Sequence, residues 1–490
     1  MKPRSASILL VALLAAGGGL RLWSAHALGD FYPGQEEGYY EQGVSWLSRG
    51  VLSSGPTDAR PRSWRGPGYP AFSALVELPF TRAHPAHLRY AVALLTVGGI
   101  CAAYLLAVQL AGPLAGLLAA GLFALDAAQA LSSSSLNVHA FYGLALLMLA
   151  CMAARWAQTP SPRSGLMFGA ALGLTLLTRS THLFAAPFLL LIGAWRGDGA
   201  RAAVRRAAWP VTALILVMLP WTVRNAVRFG SFQPLDANSG AVNLYTAASG
   251  DDITAHIDVA MRRADLERPG VYENFARDAA SPYPVLLSLA KAKILAAPGA
   301  YARGVMRRAW MLYGPWWPLL PPLLLLLWQK RDRAVWAAVL TLASLGAYPL
   351  VAVQSAYAEA AHPLAVVLAG AGLATAWSRR LARKSWEPTP EVARGVRFGA
   401  DAFFAVFAAT LLLYAALTAR EFRVLSQPGV PKLLDQRASS LVVLAARTAP
   451  RHRGDPALGL LRANESAPSD SIVPSSAKSR DREALARGEA

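Results

Sequence analysis

With 490 residues, 54% of them hydrophobic and only 16% charged, and a mean hydropathy of +0.33, the chain is not a string of soluble domains but a polytopic membrane protein. The net charge of +19 and isoelectric point near 10.3 would suggest nucleic acid in a soluble protein; here most of the charge falls in short loops between apolar segments, so it reads as topology and no nucleic acid partner is implied. The two cysteines, Cys101 and Cys151, both lie inside apolar runs, so neither a disulfide framework nor a Cys metal site is indicated.

The N-terminus, MKPRSASILLVALLAAGGGL, has a basic start and an apolar run that continues to about Leu28 without a clear small-x-small cleavage signal, so it is predicted to be a retained first helix. A polar loop follows, Gly34 to Pro70, beginning with Glu36 and Glu37 and closing with Arg65 in RGPGYP. The apolar piece from Tyr69 to Phe80 is too short to cross and is expected to be interfacial or re-entrant. Apolar segments near 7–28, 88–111, 113–131, 139–154, 165–178, 182–195, 208–223, 311–328, 334–353, 359–378 and 399–418 predict about eleven spans, some short or tilted.

Parity of the loops sets the orientation. With Lys2 and Arg4 inside, the inside loops carry Arg155 and Arg163; Arg196, Arg201, Arg205 and Arg206; Lys330, Arg331 and Arg333; and Arg379, Arg380, Arg383, Lys384, Arg394 and Arg397. The same count places the first loop, residues 29–70, outside, together with the stretch 225–310 and the C-terminal tail. Within 225–310, SPYPVLLSLAKAKILAAPGAYARGVMRRAWMLY mixes apolar positions with Lys291, Lys293, Arg303, Arg307 and Arg308 and is predicted to form interfacial helices. Trp316 and Trp317 then anchor the return into the membrane. Residues 1–418 are expected to form the transmembrane domain and 419–490 a tail, largely disordered after about 450.

Several residues can carry chemistry. Adjacent carboxylates such as Glu36 and Glu37 cannot both ionise freely in a partly dry site, so one can hold a raised pKa suited to a general base. Tyr39, Tyr40, Trp46 and Trp64 can close over a substrate. Arg65, Arg179 in LLTRSTHL and Arg224 in PWTVRN sit at the expected outer ends of spans. Arginines often snorkel from such ends, but Arg179 interrupts an apolar stretch from Leu166 to Ile192, and a boundary arginine usually has an anionic partner. Three guanidinium groups on one face fit a phosphate. Asn225 can bond a sugar or phosphate, or cap a helix. His139, His182 and His362 stand at span ends without ligand spacing; each is expected to be an interfacial side chain, and a divalent metal is possible but not indicated by pattern. No Walker loop, dinucleotide fingerprint or nucleophile elbow is present.

The order EEGYYEQGVSWLSRG, RGPGYP, GAALGLTLLTRSTHLFAAP and LPWTVRNAVRFGSFQPLDANSGAVNLY resembles the GT-C superfamily of integral-membrane glycosyltransferases over about residues 7–378. The nearest branch is glycosyltransferase family 39, the dolichyl-phosphate-mannose protein mannosyltransferases, together with the bacterial aminoarabinose transferases. The resemblance implies an all-α membrane fold and transfer of a sugar from a polyprenyl-phosphate donor to an acceptor hydroxyl on protein, lipid or glycan. It implies inversion at the anomeric carbon and an active site on the outer face of a bacterial cytoplasmic membrane. It also implies a catalytic base at Glu36 or Glu37, donor phosphate contacts from Arg65, Arg179 and Arg224, and substrate contacts from Tyr39, Tyr40, Tyr69, Asn225, Asn243 and Tyr357. The sequence departs from the pattern where Glu replaces the usual Asp, where His139 replaces a common Glu, and where Ala356 and Ala360 replace an arginine and a proline beside Tyr357 and Pro363. A transporter or flippase for lipid-linked saccharides, or an inactive scaffold subunit, would share the basic sites and stays open as an alternative.

Overall fold

The structure, a computed structural model, describes residues 3–28, 37–55, 58–61, 66–229, 232, 234–235, 239–253, 257–272, 283–329, 332–353, 356–381 and 388–425. All of these lie in the first of the two units into which the chain divides, Met1–Ala438. Glu36, Trp64, Arg65 and the tail from 426 onward lie outside the described residues, as does the side chain of Glu37.

Helices run over Pro3–Leu28 (α1), Glu37–Arg49 (α2), Gly68–Glu77 (α3), Pro85–Ala111 (α4), Pro113–Ala124 (α5), Ala127–Ser133 (α6), Val138–Gln158 (α7), Pro162–Thr178 (α8), Ala186–Ala194 (α9) and Ala200–Phe229 (α10). The chain continues through Ser239–Ala248 (α11), Ile257–Glu267 (α12), Tyr283–Ala296 (α13), Pro298–Tyr313 (α14), Leu320–Gln329 (α15), Arg333–Ala343 (α16), Ala356–Glu359 (α17), His362–Leu381 (α18) and Pro390–Leu425 (α19). Tighter 3-10 turns cover Ser180–Phe184, Gly314–Leu319 and Ser344–Leu350. A small antiparallel hairpin, Ser53–Gly55 (β1) with Asp58–Pro61 (β2), follows α2.

Each of the eleven expected apolar segments is helical, and the chain is an all-α polytopic membrane protein apart from that hairpin. Among the described residues, six helices are long and apolar enough to span a membrane, or eight if two bent pairs each make one span. The difference from eleven has a physical source, because several apolar segments are interrupted. Arg179 adopts extended backbone (φ −152°, ψ 132°) and ends α8 after 17 residues. A 63° bend separates α5 from α6. The piece expected to be interfacial or re-entrant, α3, is mostly buried, so it packs within the protein instead of lying along its surface.

The core gathers around α7. Of its apolar span, 94% is buried, against 17% for α10, so α7 is central and α10 presents most of its surface outward. Lipid offers no hydrophobic force between helices, so close packing depends on small residues. Gly165, Gly169 and Gly173 form such a stripe on α8 and face Pro210 and Val217 of α10; a Cβ at Gly169 would collide with the Pro210 carbonyl oxygen.

The basic residues that parity groups together also meet in space. Arg196 donates to the carbonyls of Ala157 and Gln158, Arg333 donates to the carbonyl of Trp195, and Arg206 pairs with Asp198. At the opposite end of the bundle, Arg21, inside the apolar run of α1 and fully buried, resolves the break after α5. Its guanidinium donates to the carbonyls of Phe123 (2.7 Å), Ala124 (2.9 Å) and Gly17 (3.0 Å). Asp126 then caps α6 by accepting from the Gln129 amide at 3.1 Å and pairs with His362 at 2.6 Å.

Gly169→Ala is expected to lower stability by about 1–3 kcal/mol, because its Cβ would collide with backbone. Gly19→Ala, on the exposed face of α1 with nothing within 4 Å, is the control and should cost nothing. Thermal unfolding of the two variants in detergent checks the contrast.

Candidate active site

Four separate stretches converge where α8 ends. Arg179, half-buried, extends its guanidinium over the ring of Tyr357, 4.6 Å from the centroid. One terminal nitrogen donates to the Tyr348 hydroxyl and the other to His139 Nε2, both at 3.4 Å. His139 Nε2 therefore accepts, which leaves the ring proton on Nδ1. Among the described residues the Arg179 Nε has no partner and no carboxylate pairs with this arginine, and its two side-chain bonds are long.

The surrounding side chains fix one another. The Tyr348 and Tyr357 rings lie 4.7 Å apart and those of His139 and Tyr357 5.3 Å apart. Asn243 of α11 donates to the Tyr357 hydroxyl at 3.3 Å, while its own carbonyl accepts from the Ala352 amide at 2.9 Å. Two predicted substrate contacts, Asn243 and Tyr357, thus meet beside Arg179. Tyr39 stands close enough to Arg179 to interact with it electrostatically and makes an edge contact with Tyr69.

Two of the three histidines are enclosed by the protein and not interfacial as expected. His139 and His182 are buried, and His182 is a structural hub. Its Nε2 lies 3.1 Å from the Thr341 carbonyl, which can only accept, so Nε2 carries the proton. Its Nδ1 accepts from the Tyr142 hydroxyl at 2.7 Å, and Ser344 lies 2.5 Å from Nε2 while donating to Thr341. The hub ties α7 and the 3-10 turn after Arg179 to the turn that bears Tyr348. His362 is held by Asp126. Among the described residues no three of His, Cys, Asp and Glu come together as a metal-ion set.

Other predicted residues have different surroundings. Arg224 is buried and donates to Glu421 through Nε (3.2 Å) and Nη2 (2.8 Å), and to Asn225 Oδ1 (3.0 Å), with Trp221 beneath it at 4.7 Å. Arg179 and Arg224 thus have different partners, and the charge of Arg224 is already met by a carboxylate. Tyr40 donates to Glu77 (3.1 Å), and Tyr69, fully buried against Phe72 and Phe141, donates to the Leu136 carbonyl (2.8 Å). Glu77 also accepts from the His84 amide and contacts His87 at 2.9 Å.

Sequence reasoning missed Tyr348, Glu77, Glu421 and Arg21. Glu421 carried a usable signal, a single acid near the end of a long apolar helix, where a basic partner is the default expectation.

No family model matches the chain, and comparison with curated proteins gives no match. Solved structures do match. ArnT from Cupriavidus metallidurans bound to undecaprenyl phosphate is 15% identical, with a TM-score of 0.44, over 88% of this chain and 77% of that one. The oligosaccharyltransferase from Archaeoglobus fulgidus, tethered to an acceptor peptide, is 13% identical with a TM-score of 0.48, over 85% and 55%. In complex with zinc and sulfate it is 13% identical with a TM-score of 0.47, over 84% and 53%. This chain spans about half the length of the oligosaccharyltransferase. At these values the likeness concerns the course of the helices and assigns no residue of this chain a role.

Glu421→Gln is expected to destabilise the protein by about 3–5 kcal/mol, because it removes the carboxylate that meets a buried guanidinium. Replacing both partners, Arg224→Met with Glu421→Leu, should recover most of that loss. Unfolding of the single and double variants in detergent measures the difference.

Proposed function

We propose that the chain is a membrane glycosyltransferase that moves a sugar from a polyprenyl-phosphate donor to an acceptor hydroxyl, with inversion at the anomeric carbon. The observation that carries this reading is Arg179: a half-buried guanidinium at a helix end in a membrane protein, with no carboxylate partner among the described residues. Such a charge is expensive where water is scarce, and an anionic ligand is what would offset it. A phosphate ester supplies that anion, and Tyr348 and Tyr357 supply aromatic faces and hydroxyls beside it.

In the transfer, the acceptor oxygen attacks the anomeric carbon as the bond from that carbon to the donor phosphate oxygen breaks. The acceptor proton goes to Glu36 or Glu37, and the charge appearing on the departing phosphate is met by Arg179, with Arg65 as a second contact. Fixed donors aimed at a developing charge are usually the largest catalytic contribution. Asn243 acts by positioning the Tyr357 hydroxyl. In this reading the site faces the non-cytoplasmic side of the inner membrane, and the catalytic domain runs past the expected boundary at 418 to the end of α19, because Glu421 is buried against Arg224.

Arg179→Met is expected to reduce kcat by about 10²–10³-fold with the purified protein and a polyprenyl-phosphate-linked sugar. Tyr357→Phe, which keeps the ring and loses only the hydroxyl, should cost no more than about tenfold. Glu36→Gln or Glu37→Gln should abolish turnover in one case and spare donor binding. Wild-type protein that translocates the labelled donor across a vesicle membrane without releasing its sugar would establish a transporter instead.

A further inference from the structure

Away from Arg179, the helices α11, α13 and α14 border a cavity of about 180 Å³. Small residues such as Ala247 and Gly250 line part of it, and Lys293, Arg303, Arg307 and Arg308 line the rest. Two carboxylates offset some of that charge. Glu267 meets Lys293 at 2.9 Å, and Asp252 meets Arg307 at 2.8 Å and Arg308 at 3.1 Å. Burial opposes ionisation of Glu267, but hydrogen bonds from Tyr245 and Lys293 outweigh it and hold its carboxyl below the usual glutamate value, so it is charged at neutral pH. Four cations against two carboxylates leave a net charge of +2.

Two of the cations have unused capacity. Arg308 is only 1% exposed and donates through Nε to the Pro349 carbonyl and through Nη1 to Asp252, yet among the described residues its Nη2 has no partner. A buried donor left unmade costs about 1–3 kcal/mol, so an acceptor at this place would be stabilising. Arg303 is exposed and, among the described residues, has no ion-pair partner.

The position narrows the choice of anion. The cavity sits in the elbow at Ala297, where the chain bends by 105° between α13 and α14. Beside it, Leu295, Met306 and Trp310 are 69%, 71% and 73% exposed. Large apolar and aromatic side chains exposed next to arginines are the mark of a helix lying in a membrane interface. A phosphate carried on a lipid would meet both features at once, its oxygens bonded by guanidinium forks and its chains against the apolar face.

We propose that this cavity holds the phosphate group of an anionic membrane lipid whose acyl chains lie along the exposed face of α14. The proposal is independent of the transfer reaction and rests on different residues. It is tested by thermal shift of the full-length protein in detergent, titrated with short-chain phosphatidylglycerol, short-chain phosphatidylcholine and inorganic phosphate. Saturable stabilisation by phosphatidylglycerol is expected, at least about tenfold tighter than by either of the others. Arg303→Ala removes one cation and Ala300→Leu fills part of the cavity; both positions are exposed, so both variants should unfold at the wild-type temperature without lipid and bind the lipid about tenfold more weakly. Undiminished binding in both variants, or equal affinity for phosphatidylcholine, would overturn the site. Equal affinity for inorganic phosphate would overturn the lipid as its occupant.

Discussion

A helix that stops within a membrane protein exposes carbonyls that no water can bond, and something in the chain must take their place. Much of this structure follows from that requirement. At the break after α5 the answer is Arg21, which carries a charge into an apolar helix so that the carbonyls of Phe123 and Ala124 are met. Where α8 stops at the extended Arg179, a 3-10 turn begins at once, and His182 within that turn accepts from Tyr142 and donates to the Thr341 carbonyl in the last turn of α16. Each interruption places polar side chains at one end of the bundle, so the breaks in the spans and the polar end of the molecule have a common origin.

Charge is distributed there with a consistent economy. Asp126 has His362, Glu421 has Arg224, and Asp252 has Arg307 and Arg308. Against that background Arg179 stands out because, among the described residues, the side chains that hold it are two tyrosines and a histidine whose accepting nitrogen faces it. Neutral donors and π faces hold a guanidinium in place without cancelling its field. An ion pair would hold it more firmly but leave little for a ligand, as Arg224 illustrates.

The fold was largely readable from the chain. Apolar length found the eleven apolar helical segments but not α2, which lies in the stretch read as a polar loop, nor the polar α12, and loop parity grouped Arg196, Arg206 and Arg333, which meet at one end. The interruptions were harder, because length alone does not show that α5 and α6 bend or that α8 ends at Arg179. The site was readable in part. Motif order singled out Arg179, Asn243 and Tyr357, which do converge, although they lie far apart in sequence. Tyr348 and His139 complete that cluster through contacts made only by the packing of other helices. The Arg224–Glu421 pair joins residues 197 positions apart, beyond any local pattern. The glycine stripe of α8 was not read from the sequence, because its meaning depends on Pro210 and Val217 of α10 lying opposite.

The way these pieces connect also bears on how the site keeps its shape. Tyr348 is carried on a 3-10 turn, a less regular element than a spanning helix, and by itself would be a loose platform for Arg179. His182 closes that gap, since one ring bonds α7, the end of α16 and the start of the turn that carries Tyr348. Its tautomer is dictated by the Thr341 carbonyl, so a proton added at Nδ1 would cost the bond from Tyr142. A neutral histidine is therefore part of the scaffold, and the geometry around Arg179 depends on a residue outside the set of side chains that hold it.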